Sequence, residues 1–448
     1  MVKFEIRRLP YDLTAHGGLP LVGQHLKRHA LVDQVIDPLY PIQGNKGGLS
    51  TGSIVRSYLG LLCTAKSDFD AIENWRRDEF VARALGVAKI PSSPALRQRL
   101  DVLGADGDRA LYAIDEINFN LLRRAKIAIT ALPTGHVPFD FDVFTMDNSN
   151  TAKEGVSRTY ANDYGYAPIT GYLGLEGWCM GLELREGSQH SAEETPEFLG
   201  RVLPRIFTLT QKPILARADS GFDGGEIVAA LLAHRPRCNI DLLIKWNPRG
   251  FSVEAAHQQR ADDPATSWQT PRPGKRIALW SQPMVRGGHT LRCVMRLTER
   301  TIDKKGQKLL YPDLKLEGWL TTLDLPEAKV IALYEDHATH EQFHSEFKSD
   351  LDLERLPSGK FGTNDVVMAL AMVAYNILRT IGQNTLIGQH APVRHPAKRR
   401  RLRTVIQEII GVAARMTRHA RKWSLGLANN CPAFQVFRDH YVDLCCTG

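Results

Sequence analysis

Two aspartates and a glutamate, far apart in the chain, have the residue types and settings of an acidic set that could hold metal. Asp142 lies in the strand-like run His136-Val-Pro-Phe-Asp-Phe-Asp-Val-Phe144. Asp219 ends a second apolar run, Pro213-Ile-Leu-Ala-Arg-Ala-Asp219, just before Ser220-Gly221. Glu341 falls inside a run that reads as helical from near Tyr334 onward. The chemistry such acids suit is cleavage or transfer of a phosphodiester. That reaction needs an activated oxygen nucleophile and charge stabilisation on the leaving oxygen, and a pair of Mg²⁺ ions supplies both. Mg²⁺ is hard and takes a few carboxylates alongside water and substrate phosphate. Three acids on rigid elements, open to a long groove, are the least the protein must contribute.

Which acids these are depends on which face each element presents. Val137, Phe139, Phe141 and Val143 alternate with Asp140 and Asp142, so both carboxylates leave one face of a strand. Asp147 follows in the turn-like Met146-Asp-Asn-Ser149, where an Asx turn would also account for it. The first acid is thus Asp140, Asp142 or Asp147. On one continuous helix, turning about 100° per residue, His337, Glu341, His344 and Lys348 fall within about 80° of Tyr334, and Glu346 falls at about 120° on the other side. That stripe selects Glu341 over Glu346 and leaves Phe343 and Phe347 for packing.

The elements that must position these residues change character along the chain. Residues 1–130 read as mainly helical. Leu49-Ser-Thr-Gly-Ser-Ile54 supplies small capping residues, and Ile54, Tyr58, Leu61 and Leu62 an apolar stripe. Pro91-Ser-Ser-Pro-Ala-Leu-Arg-Gln-Arg-Leu100 starts a helix that exposes Arg97 and Arg99, as a DNA recognition helix or as an ordinary bundle helix. Residues 131–246 alternate strands (around 137–143, 178–184, 214–218 and 240–246) with helices (196–209 and 225–234), the rhythm of a mixed α/β sheet. Residues 247–316 are rich in Pro, Gly, Arg and Gln and then give two antiparallel-type strands, so they read as an inserted β-subdomain. The sheet pattern resumes over 317–385 with a strand, the Glu341 helix and an apolar helix from Asp365 to Arg379. Residues 386–448 read as a basic helical region.

A chain of 448 residues with a formal charge of +8 suits a polyanionic partner. The excess crowds the C-terminal stretch, with Lys398, Arg399, Arg400, Arg401 and Arg403 ahead of Arg415, Arg418, Arg421 and Lys422. The seven cysteines form no Cys-x-x-Cys pair, against a disulfide framework or a zinc knuckle. No apolar run is read as a membrane span, and the start Met1-Val-Lys-Phe-Glu-Ile-Arg-Arg8 lacks a signal core, so a cytoplasmic, nucleoid-associated protein is expected.

Longer segments carry a resemblance. Asp142–Tyr160, with Met146-Asp-Asn-Ser149 inside it, Gly165-Tyr-Ala-Pro-Ile169, Leu184-Arg-Glu-Gly-Ser-Gln-His190 and Arg217-Ala-Asp-Ser-Gly221 resemble bacterial insertion-sequence DDE transposases. The run Tyr334, two residues, His337, three residues, Glu341, six residues, Lys348 is similar to the Tyr-Arg-Glu-Lys signature of one branch, with histidine in place of arginine. The resemblance implies an RNase H-like catalytic domain behind a helical DNA-end-binding region. It implies Mg²⁺ or Mn²⁺ held by Asp142, Asp219 and Glu341, with Asp147 the alternative first carboxylate. It implies cut-and-paste cleavage and strand transfer at terminal inverted repeats, by a homodimer or higher assembly on element-end and target DNA. Tyr334, His337 and Lys348 would contact phosphate near the cut, and Lys245, Arg249, Arg97, Arg99 and Lys398–Arg401 would hold DNA further out. Trp268 or Trp280 would stack on an extruded base, or else pack in the core. The readings from other classes are a non-catalytic terminal-repeat binder or repressor, and a nuclease that cuts without joining.

Overall fold

The computed structural model describes residues 2–42, 48–236, 238–336, 340–393 and 395–446. Six helices come first: α1 (Leu19–His25), α2 (Val32–Ile36), α3 (Thr51–Leu62), α4 (Glu79–Leu85), α5 (Ser93–Ala105) and α6 (Gly107–Arg124). Their starts follow the capping rules: Ser50 accepts from the Ser53 amide at α3, and Ser92 from the Ala95 amide at α5. Strand β1 (Val137–Val143) opens the sheet, followed by the short strands β2 (Met146–Asp147), β3 (Ser157–Arg158) and β4 (Tyr164–Tyr166), which form a small sheet of their own. Then come β5 (Ile169–Leu173), β6 (Trp178–Glu183), α7 (Thr195–Leu209), β7 (Ile214–Ala218), α8 (Gly225–Leu232), β8 (Ile240–Lys245) and α9 (Val253–Asp262). Long strands follow: β9 (Trp268–Arg272), β10 (Lys275–Arg286), β11 (His289–Ile302) and β12 (Lys308–Thr321). The rest is α10 (Glu327–Glu335), α11 (His340–Ser345), α12 (Phe361–Thr385), α13 (Leu402–Val405), the hairpin β13 (Ala414–His419) and β14 (Lys422–Leu427), and α14 (Phe434–Cys446).

Nine strands form one mixed sheet in the order β6-β5-β1-β7-β8-β12-β11-β10-β9. Only β1–β7 and β7–β8 pair in parallel. The strands expected as an inserted subdomain extend this sheet, because β12 pairs antiparallel with β8, Trp319 opposite Lys245. Period-2 alternation then decides the layers. Phe139, Phe141, Ala216, Ala218 and Gly171 turn to the face covered by α7 and α8. Gly171 is required there, since a Cβ would come within 2.7 Å of the Phe139 ring. Asp140, Asp142, Arg217 and Asp219 turn to the opposite face.

On that opposite side α12 is the spine. Against the expectation that no run approaches a membrane span, it is long and apolar enough to cross one by length and composition, but 94% of its apolar window is buried in the protein. One hydrophobic core joins it to α1, α3–α6 and α11. Gly104 of α5 and Gly362 of α12 meet where neither leaves room for a Cβ. Asp101 of α5 takes bonds from Lys360 Nζ and Thr363 Oγ1, both at 2.7 Å, at the start of α12. The N-terminal helices and the sheet are thus built around a shared helix. The C-terminal region expected to be helical contains a β-hairpin, where Arg415, Arg418 and Lys422 lie on paired strands around a turn at Ala420-Arg421, both with positive φ.

Candidate active site

The register of β1 and β7 brings two aspartates together. Asp140 pairs with Arg217, so the next residues on the same face, Asp142 and Asp219, stand level at the ends of adjacent parallel strands. Asp140 is committed: Arg217 Nε and Nη2 reach its two oxygens at 2.6 and 2.8 Å, both side chains are buried, and Arg217 Nη1 donates to the Leu333 carbonyl at 2.7 Å. A bidentate pair buried at the strand centre holds the register and ties it to α10. Asp219 caps the turn that follows it, its Oδ1 accepting from the Gly221 amide at 2.9 Å.

Two tyrosines report both aspartates. Tyr160 exposes most of its ring but turns its hydroxyl to the Val143 carbonyl, 3.3 Å away. Its pKa is pushed up to about 12, first by desolvation and then by the charges of Asp142 and Asp219. Tyr334 is raised too, by burial first and then by Asp219 and Asp142. No local sequence signal marked Tyr160.

The run expected as one helix from Tyr334 to Lys348 is described in three parts, and residues 337–339 between the first two lie outside the described residues. Tyr334 lies on α10, which ends at Glu335 with Asp336 as its cap, while Glu341 lies on α11 and Lys348 in the π-helical turn Glu346–Asp350. The face angle drawn from Tyr334 to Glu341 runs across residues 337–339, outside the described residues. His337 lies outside the described residues. The choice between the glutamates rests on other grounds: Glu346 is fully buried against Arg379, whereas Glu341 is exposed in the first turn of α11. α11 is docked beside the strand pair. His344 Nε2 lies 3.2 Å from Thr170 Oγ1, its ring stacks on Phe144 at 4.6 Å, and Thr170 is the β5 residue opposite Asp142. Glu341 is one turn before His344, on the same side of the helix. Among the described residues, however, no three His, Cys, Asp or Glu side chains are gathered closely enough to hold an ion.

The other predicted residues fall in several places. The Asp147 amide donates to Glu354, and its carboxylate closes an Asx turn on the Ser149 amide at 2.8 Å; the Ser149 hydroxyl first and then its amide lower the Asp147 pKa. Lys348 Nζ donates to the Thr145 carbonyl at 2.9 Å and pairs with Glu354. Lys245 stands 6.0 Å from the Tyr334 ring, and Arg249 is exposed beyond β8. Arg97 is exposed on α5, while Arg99 bonds Thr51. Arg399, Arg400 and Arg401 bond within the protein, to Gln342, to the Leu386 carbonyl and to Asp350; Lys398 is exposed. Trp268 and Trp280 pack against the sheet core beneath Arg276 and Arg260.

A five-strand core of three antiparallel and two parallel strands, with aspartates at the ends of two adjacent parallel strands, is an RNase H-like mixed sheet flanked by helices. The model of the transposase DDE domain, group 1, matches residues 10–445, and the chain belongs to that family. It is a DNA transposase, an enzyme of a family that acts with divalent metal ions. Comparison with curated proteins gives no match. A solved piggyBac transposase synaptic complex with hairpin DNA aligns over 81% of this chain and 74% of that one, at 11% identity and a TM-score of 0.37, a likeness too distant to carry weight.

Proposed function

We propose that this transposase cuts and joins DNA at the terminal inverted repeats of an insertion sequence, using Asp142, Asp219 and Glu341 with Mg²⁺ or Mn²⁺. The observation that carries the reading is the level placement of Asp142 and Asp219 beside the docked helix of Glu341. Oxygen-only donors on rigid strands fit a hard divalent ion. When bound, such an ion activates the attacking oxygen and offsets charge on the leaving oxygen. The chain's own part is to fix Asp142 and Asp219 through the Asp140–Arg217 pair and to bring Glu341 alongside on α11. Tyr334 and Lys348 flank the site, and Lys245, Arg249, Lys398, Arg97 and His337 extend contact along the DNA. A dimer on paired ends is the working assembly.

The test is incubation with the element's own end DNA and Mg²⁺, scoring joined separately from merely cut products. Wild type should give joined product, and Asp219→Ala and Glu341→Ala should give neither cut nor joined product while still binding the end. Cutting without joining would make it a nuclease; binding without cutting by wild type would make it a terminal-repeat binder.

A further inference from the structure

The basic run Lys398–Arg403 reads, from its sequence, as a DNA contact. Its bonds lead elsewhere. Arg401 Nε reaches both Asp350 oxygens, at 3.1 and 2.8 Å, and Arg401 Nη2 donates to Ser345 Oγ at 2.8 Å. The Arg403 amide adds a third bond to Asp350 at 3.1 Å. Arg399 donates to Gln342 Oε1 at 2.9 Å with its guanidinium 4.4 Å from the Phe343 ring centroid. The Leu402 amide donates to Glu346 at 3.1 Å, and Arg379, the buried partner of Glu346, donates to the Arg400 carbonyl at 2.6 Å. All but the bond of Arg379 to the Arg400 carbonyl fall on the segment from α11 through the π-turn; the Arg400 guanidinium instead bonds the Leu386 carbonyl, and Arg399 also donates to the Leu175 carbonyl at 3.2 Å. Gln342, Glu346 and Asp350 recur at four-residue spacing along one side, with Ser345 beside Glu346, while His344 and Lys348 engage Thr170 and Thr145 on the other. The glutamate-bearing segment is therefore held between the sheet and the 399–403 run, with ion pairs from Asp350 to Arg401, from Glu346 to Arg379 of α12 and from Lys348 to Glu354.

We propose that Arg401, acting through Asp350, is a positioning residue that sets the Glu341 helix against the strand aspartates, and that Arg399 supports it from the same side. This rests on the reading of Glu341 as the third carboxylate. Asp350 is buried, so its charge is desolvated and needs its partner. A side chain bonded to a buried carboxylate and a helix hydroxyl cannot at the same time clasp a phosphate with the same nitrogens. Displacing a helix by about 1 Å is enough to cost on the order of a hundredfold in rate.

The experiment uses the full chain with Arg401→Gln, Arg401→Lys, Asp350→Asn and Glu341→Gln, and measures three things. The first is the salt dependence of binding to element-end DNA; the second is cleavage at saturating DNA; the third is amide hydrogen exchange over residues 340–350. Arg401→Gln and Asp350→Asn should each lower cleavage at least tenfold and speed exchange in 340–350 with β1 and β7 unchanged. The salt slope should stay as in wild type, and Arg401→Lys should recover part of the rate. A phosphate contact would instead lower the salt slope by about one with cleavage at saturation unchanged, and that result overturns the proposal. So does unchanged exchange over 340–350. Glu341→Gln is the separate arm: if it cleaves normally, the assignment of the third carboxylate fails whatever the arginine variants do. If either Arg401→Gln or Asp350→Asn does not fold, Arg401→Lys with the same readouts decides.

Discussion

Asp142 and Asp219 reach the site on strands, and Glu341 reaches it on a short helix. The strand aspartates are set by backbone pairing: once Asp140 faces Arg217, the next same-face positions are level whatever their side chains are. The helix has no such register. α11 and the π-turn that follows it are located by what their side chains touch, His344 on Thr170 and Phe144, Phe347 stacked on Tyr375 at 4.7 Å, and the arginine run behind. Pairing gives a fixed position, and docking gives one that moves when a contact is changed. A site with two acids of the first kind and one of the second is rigid on one side and adjustable on the other.

The sharpest way to break that contrast is to change carboxylate reach. Asp219→Glu should lose cleavage nearly as fully as Asp219→Ala, about a thousandfold or more, because the strand cannot retreat by the length of a methylene. Glu341→Asp should lose less, about tenfold to a hundredfold, because the docked helix can follow. Single-turnover cleavage at saturating DNA measures both. Equal losses would mean that α11 is as rigid as the strands.

The Asp140–Arg217 pair tests the strand side by stability. Arg217→Met leaves a buried carboxylate without its guanidinium and frees the Leu333 carbonyl, so about 3–5 kcal/mol should be lost on urea unfolding. Asp140→Asn with Arg217→Met should recover part of that loss. A loss below about 1 kcal/mol would show that the register is held by the ladder alone.

The sequence disclosed these two sides unequally, for physical reasons. β1, β7 and β8 are short apolar runs, and β1 alternates with period 2, so the strands and the face carrying Asp140 and Asp142 are legible directly. β5 was not read: Ile169-Thr-Gly-Tyr-Leu173 follows a proline and carries a glycine that looks like a turn residue, although Phe139 packing requires it. The Asp140–Arg217 bond joins residues on different strands, and register between strands is not local information. The end of α10 at Glu335 has no local mark in the sequence, where the polar stripe runs on to Lys348. Arg399–Arg401 read as exposed charge because the carboxylates and carbonyls they meet lie elsewhere in the chain. The hairpin of β13 and β14 was hidden by its many basic residues.

A carboxylate fixed by neither means gives the next test. Asp365, near the start of α12, accepts from the Leu184 amide at 3.1 Å, and its pKa is raised to about 7, chiefly by burial and further by Glu183 and Asp115. A raised carboxyl pKa means that the folded protein binds more protons than the unfolded chain between the ordinary value and about 7. Stability contributed by the neutral form is therefore lost as pH rises through that window. Asp365→Asn, neutral throughout, should be more stable than wild type at pH 8.5 by on the order of 2 kcal/mol, with the gain shrinking as pH falls to about 5. Parallel stability profiles for the two proteins would mean that the carboxylate is well solvated.

The smallest expected effect separates exposed cations from engaged ones. Lys398 and Arg249 are exposed, while Arg401 is bonded to Asp350. If the exposed pair lies along DNA, Lys398→Gln and Arg249→Gln should each weaken end binding only severalfold at moderate salt. Each should also lower the slope of log affinity against log salt by about one. Cleavage at saturating DNA should not change, since neither residue touches the carboxylates or the elements that hold them. The pair and Arg401 should therefore give opposite patterns: slope without rate for Lys398 and Arg249, rate without slope for Arg401. Should Lys398→Gln leave the slope untouched, the C-terminal run has no part in DNA contact, and the cations that follow the DNA must be sought on α5 and the β13–β14 hairpin.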